Sequence, residues 1–119
     1  MSDLFRVVDL EVRAHIGVPE EERARPQKLL ISLEMAVDSF LPAVRRDDIA
    51  VTVNYFDVTE RVKALVAKTP PRKLLETLAE NIATELIGSF PIESLTVEIK
   101  KFVLPDTRWV SVQITRKKR

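Results

Sequence analysis

Two long runs of alternating polarity near the N-terminus limit this chain to folds built around an antiparallel sheet. From Leu4 to Ile16 the even positions read Leu4, Arg6, Val8, Leu10, Val12, Ala14 and Ile16, while Asp9, Glu11, Arg13 and His15 take odd positions. A side-chain period of two over that length predicts a half-buried strand with the even set inward. Gly17, one of two glycines, ends it, and a polar stretch from Pro19 to Pro26 follows. A second alternating run then places Leu29, Ile31, Leu33, Met35 and Val37 on one face. The two runs read as an antiparallel pair joined by a charged loop.

Residues 39–53 are mixed and end in Asp47-Asp48 and a short β-branched stretch. Asn54, with Asp57 three residues on, can cap a helix whose face carries Tyr55, Val58, Val62, Leu65 and Val66. Pro70-Pro71 breaks it. A second helix is expected from about Lys73, with Leu74, Leu75, Leu78, Ala79, Ile82, Ala83, Leu86 and Ile87 as a broad apolar stripe and Gly88 as its stop. Two strands finish the chain. The first turns Leu95, Val97 and Ile99 inward; the last turns Val110, Val112 and Ile114 inward and Trp109, Ser111, Gln113 and Thr115 outward. A turn around Leu104-Pro105-Asp106 joins them. The order ββααββ predicts an α+β fold: a four-stranded antiparallel sheet with both helices on one face, formed by residues 1–119 as one domain.

Composition narrows the chemistry. The chain is 45% hydrophobic, enough for a single core, and no apolar run is long enough to span a bilayer. Asp3, Arg6, Asp9 and Glu11 interrupt the start, unlike a signal peptide. There is no cysteine, so neither a disulfide framework nor a thiolate zinc site is available, and a cytoplasmic, reducing location is expected. A net charge of +1 gives no reason to expect a nucleic-acid partner. The basic tail, residues 116–119, reads as a solvated terminus. His15 is the only histidine, which leaves too few nitrogen ligands for an ordinary zinc site; no metal is expected. Chemistry falls to Lys, Tyr, Glu and Asp.

Lys101 continues the inward row of Leu95, Val97 and Ile99, so its ammonium ends a core-facing face. A partly desolvated lysine can both give and take a proton near neutrality; the plainer alternative is a lysine snorkelling past the sheet edge. Tyr55, the only tyrosine, begins a helix on its apolar face, where a satisfied buried ring is the ordinary outcome. Glu22 stands in a run that alone reads as a solvated loop. Glu76 falls in the first turn of the second helix, where it either offsets the helix dipole or receives a planar pair of donors. Beside it, the N–H of Leu75 lacks an intrahelical partner and can donate to a ligand.

Four segments, taken together, resemble the dihydroneopterin aldolase family. They are Gly17-Val18-Pro19-Glu20-Glu21-Glu22-Arg23 with Gln27, Thr52-Val53-Asn54-Tyr55, Leu74-Leu75-Glu76-Thr77-Leu78-Ala79 and Val97-Glu98-Ile99-Lys100-Lys101. The resemblance implies the tunnelling fold, with homo-tetramers or homo-octamers whose sites lie between subunits. It implies that Glu76, the Leu75 amide and the Val53 backbone hold a pterin. It makes Lys101 the general acid/base, Tyr55 a proton-handling residue from a neighbouring subunit, and Glu22 a positioner of water or substrate. The implied reaction is retro-aldol cleavage of 7,8-dihydroneopterin in folate biosynthesis, giving 6-hydroxymethyl-7,8-dihydropterin and glycolaldehyde. The substrate's own ring C=N bond takes up the electrons, so no cofactor, metal or Schiff base is needed.

The turn after Lys101, Phe102-Val103-Leu104-Pro105-Asp106-Thr107, is shorter than the family's usual loop and lacks its glycine, and Pro26 stands where a glycine often precedes the glutamine. That shortening resembles the related dihydroneopterin triphosphate epimerases, for which Arg108 or Arg72 could hold phosphate. A non-catalytic ring that binds pterin or purine is the remaining alternative.

Overall fold

The computed structural model describes residues 2–68 and 70–119. In chain order the elements are β1 (Asp3–Ala14), a short helix α1 (Glu20–Arg23), β2 (Gln27–Val37), α2 (Leu41–Arg46), a 3-10 turn (Ile49–Val51), α3 (Tyr55–Lys68), α4 (Leu75–Ser89), β3 (Ser94–Lys101) and β4 (Val110–Lys117). The strands form one antiparallel sheet in the order β1-β2-β3-β4. The expected α+β architecture is present, with α3 against β1 and α4 against β3 and β4.

The core lies between that sheet and the two long helices. Leu29, Ile31, Leu33 and Met35 of β2 and Leu95, Val97 and Ile99 of β3 meet Val58, Val62 and Val66 of α3 and Leu78, Ala79, Ile82, Ala83 and Leu86 of α4. The alternation of two and the helical repeat of about 3.6 therefore converge on one apolar layer. Asn54 caps α3 as its position predicts, its Oδ1 accepting from the N–H groups of Phe56 and Asp57.

β1 departs from the expected parity. Its even positions face inward only from Leu10 onward; before that, Phe5 and Val7 pack on the core, while Leu4 and Val8 point outward, Val8 being 71% exposed. The cause is a β-bulge. Val7 pairs with Leu33 and Leu10 with Ile31, so Val8 and Asp9 together oppose Ser32. One extra residue reverses the side-chain parity on either side of it. Asp9 takes the left-handed conformation the bulge requires, with φ of +56°. Its N–H donates to Ser32 Oγ at 2.9 Å, and its Oδ1 accepts from Lys100 Nζ at 3.0 Å.

Three further differences have local causes. The stretch 39–53 holds α2 and the 3-10 turn. Asp47, left-handed, closes the first, and Asp48 Oδ1 caps the second by accepting from the Ala50 N–H at 2.9 Å. Gly88 lies inside α4 rather than ending it. The helix runs to Ser89 and stops at Phe90, which is extended (φ −131°, ψ 156°) because it precedes Pro91. The loop after β1 also contains one turn of helix, α1.

Deleting Asp9 forces one half of β1 inside out, exposing either Phe5 and Val7 or Leu10 and Val12. Urea unfolding is expected to show a loss of roughly 3 kcal/mol or more. Asp9→Gly, which keeps the bulge, should cost less than the deletion.

Candidate active site

Lys101 occupies the last inward position of β3, paired in register with Leu29 on one side and Val110 on the other. Those ladders fix its backbone, and the core row carries its side chain down to 8% exposure; no other polar or charged described residue is as buried. A charged group so placed needs a partner. It has one in Glu22, whose Oε2 lies 2.7 Å from Lys101 Nζ across 79 residues of sequence.

Glu22 reaches that position because its loop is tied down from several directions. Gln27 Nε2 donates to the carbonyls of Ile16 (2.5 Å) and Glu22 (2.9 Å). Arg23 Nη1 donates to the carbonyls of Gly17 (2.8 Å) and Val18 (2.6 Å). The Arg23 carbonyl in turn lies 2.8 Å from His15 Nδ1, so that nitrogen is the donor. Gly17 leaves the room. Its φ is +149°, and a Cβ there would meet Glu22 Cβ at 2.6 Å, Oε2 at 2.8 Å and Cδ at 2.9 Å. Only glycine accommodates both that backbone and the carboxylate folded against it. Gly17 and Arg23 have roles at the site that the residue pattern alone did not reveal; an isolated glycine at a strand end was the available signal.

The start of α4 lies at the same end of the sheet. The Gly17 N–H donates to the Arg72 carbonyl (3.1 Å) and the Arg72 N–H to the His15 carbonyl (3.3 Å), binding the α3–α4 connection to the end of β1. Leu74 is the N-cap and offers no side-chain acceptor, so the amides that open α4 at Leu75 and Glu76 have no cap. The Glu76 carboxylate is exposed and has no hydrogen-bond or ion-pair partner among the described residues. Arg72 is already engaged: its Nε donates to Asn81 Oδ1 at 2.6 Å, and burial lowers its pKa below the usual arginine value.

Tyr55 and Val53 stand elsewhere. Val53 is buried, but Tyr55 is 59% exposed and is not part of the buried face of α3, which consists of Val58, Val62 and Val66. The Tyr55 ring lies 6.4 Å from that of Phe5, at the beginning of β1. It borders an open cleft of about 510 Å³ with Phe5, Phe40, Val44, Ile49 and Val53. Phe5 pairs with Met35 and Lys101 with Leu29, six residues apart on β2. At about 3.3 Å per residue, Tyr55 and Lys101 are roughly 20 Å apart along the sheet. Lys101, Glu22, Leu75 and Glu76 thus gather at one end, and Tyr55 and Val53 at the other.

Among the described residues, no three His, Cys, Asp or Glu side chains come together as a metal site. No helix among them is long and apolar enough to cross a membrane.

Comparisons with known proteins converge on one family. The sequence model of the dihydroneopterin aldolase family matches residues 5–115. The dihydroneopterin aldolase of Methylorubrum extorquens is 41% identical over 85% of this chain and 77% of its own. That of Bacillus subtilis is 34% identical over 98% of both chains. The crystal structure of Escherichia coli dihydroneopterin aldolase in complex with neopterin superposes with a TM-score of 0.90 at 30% identity, covering 96% of this chain and 98% of that one.

Gly17→Ala should separate the central pair. We expect a loss of about 1–3 kcal/mol in denaturant unfolding, and a crystal structure in which the Glu22 carboxylate has left Lys101 Nζ. An unchanged midpoint with the 2.7 Å contact intact would contradict the role given to Gly17.

Proposed function

The chain belongs to the dihydroneopterin aldolase family, and from that premise we propose how its residues cleave 7,8-dihydroneopterin. The enzyme is an aldehyde-lyase. It breaks the bond between the first and second side-chain carbons, releasing glycolaldehyde and leaving 6-hydroxymethyl-7,8-dihydropterin. The proton of the second carbon's hydroxyl departs as its carbonyl forms. The bonding electrons enter the ring C=N bond, and a proton is then delivered to the first carbon.

Two proton transfers and one fixed pose are therefore what the protein supplies, with neither a metal nor a Schiff base. We assign both transfers to Lys101, which takes the hydroxyl proton as the free amine and returns one to the first carbon as the ammonium, with Glu22 holding that ammonium and orienting a water or the side-chain hydroxyls. Glu76 receives two parallel N–H bonds from the amino-pyrimidinone edge, and the Leu75 amide donates to a ring heteroatom. The observation that carries this assignment is the ion pair of Lys101 and Glu22, set at the end of the core row beside an uncapped helix start.

Val53 and Tyr55 enter from a second copy. Their distance of roughly 20 Å from Lys101 supports a site completed by Tyr55 of the partner subunit. So do β1 and β4, edge strands with one side unpaired within the chain and open to another copy. Residues 1–119 then act as one domain of a homo-tetramer or homo-octamer in the cytoplasm.

Lys101→Ala is expected to lower turnover by about a hundredfold or more, measured as glycolaldehyde released from dihydroneopterin. Pterin binding, read by fluorescence titration, should change only a few-fold; turnover near that of the parent enzyme would remove Lys101 from the chemistry. Subunit sharing has its own test. Tyr55→Phe and Lys101→Ala chains, each impaired alone, should regain activity when refolded together, because some sites then carry both intact residues. No recovery in rings shown by mass spectrometry to be mixed would rule out sharing.

A further inference from the structure

Beyond Glu22 the site continues into a second recess. A pocket of about 290 Å³ is lined by Glu22, Arg25, Pro26, Gln27, Phe102 and Val103. It shares Glu22 with the Lys101 pair, so on the reading above it adjoins the substrate's side chain. The pocket's charge is one-sided. Glu22 is neutralised by Lys101 at 2.7 Å, whereas Arg25 has no carboxylate partner among the described residues. Lys28, also without one, lies over the Phe102 ring with Nζ 4.8 Å from its centroid. Arg6, Arg13, Arg46, Arg61 and Arg116 are paired on the surface with Glu34, Glu11, Asp48, Glu85 and Glu80; Arg45, Arg108 and Arg119 also have no carboxylate partner among the described residues, but none of them lines this recess.

The pocket wall is also fixed. The Arg25 N–H donates to the Glu22 carbonyl at 3.4 Å, Pro26 stiffens the next step, and Gln27 is held through its two side-chain bonds. Phe102 and Val103 follow Lys101 directly, so the short turn after β3 forms the opposite wall. A guanidinium on a rigid backbone, beside an apolar wall and a second cation, is suited to a phosphate rather than to a neutral triol. Of the two arginines that the sequence offered for phosphate, Arg72 is bonded to Asn81 and Arg108 does not line this recess.

We propose that the Arg25 pocket receives a phosphate ester carried on the terminal hydroxyl of the substrate's side chain, making this enzyme selective for phosphorylated dihydroneopterin. The inference rests on the aldolase reading above. The cleavage is unchanged in its balance: the same carbon–carbon bond breaks, the ring takes the electron pair, and glycolaldehyde phosphate leaves in place of glycolaldehyde.

The test compares kcat/KM for 7,8-dihydroneopterin and its 3′-monophosphate, in the parent enzyme and in Arg25→Gln. The parent should prefer the ester, with the preference falling as salt rises. Arg25→Gln should cut the ester-to-triol ratio by about tenfold. A purely structural effect of the substitution would scale both substrates together and leave the ratio fixed, and that result overturns the proposal. So does a parent enzyme that cleaves the triol as well as the ester. Turnover of neither substrate would instead overturn the aldolase reading, and the subsite with it.

Discussion

An ammonium at the end of an apolar row has lost much of its water and needs a partner in its place, and much of this fold is arranged so that Glu22 is that partner. The β2–β3 and β3–β4 ladders aim Lys101 along the core face. The loop from Gly17 to Gln27 then has to bring a carboxylate back over it. A flexible acidic loop would sample many positions, and its attraction to Lys101 would be spent on ordering it. Here the ordering comes from neutral side-chain-to-backbone bonds of Gln27 and from Arg23, which is why a run of glutamates yields one defined carboxylate. The Gly17–Arg72 backbone bond extends the same control to the first turn of α4.

That arrangement makes one end of the molecule polar and preorganised and leaves the other apolar and open. Phe5, Phe40, Val44, Ile49 and Tyr55 line a cleft that the chain does not fill. A pterin is flat, with a polar edge and two apolar faces. Glu76 and the amides at Leu75 and Glu76 can meet the edge; the faces need apolar walls, which are at the far end of the same sheet. On the proposed reading each end of the sheet holds half a site, a geometry that a ring of like copies can use and a lone chain cannot.

How legible this was depended on whether a feature is governed by local rules. Parity along β3 placed Lys101 inward, because that strand is regular from Ser94 to Lys101. Asn54 was equally readable, and so was the α4 stripe from Leu75 onward, whereas Leu74 lies outside the helix and is exposed. The β1 bulge was not: Asp9 falls in an unbroken alternation, and its left-handed backbone is stabilised by Ser32 and Lys100, partners 23 and 91 residues away. Gly88 misled because helix termination was settled by Pro91, whose restriction of Phe90 outweighs a glycine that α4 tolerates. Tyr55 was assigned to the wrong face because it sits at the first turn of α3, before the helix meets the sheet. The Glu22 contact depends on a tertiary approach that only the space at Gly17 records. Family resemblance named Glu22 where periodicity could not.

Holding and selecting are also separated within the loop. The bonds that set Glu22 use Ile16, Gly17, Val18, Arg23 and Gln27; the recess beyond it shares Glu22 and Gln27 with that frame and is otherwise walled by Arg25, Pro26, Phe102 and Val103. Changes of charge or size at 25, 102 or 103 can therefore alter what fits beside the cleaved bond without loosening the pair at 22 and 101. The converse does not hold. A change at 17 or 27 moves Glu22, and with it both the proton-handling amine's partner and the mouth of the recess. On the proposed reading, mechanism and specificity share Glu22 and Gln27 but otherwise rest on different residues, so selection could tune the second while the first stays fixed.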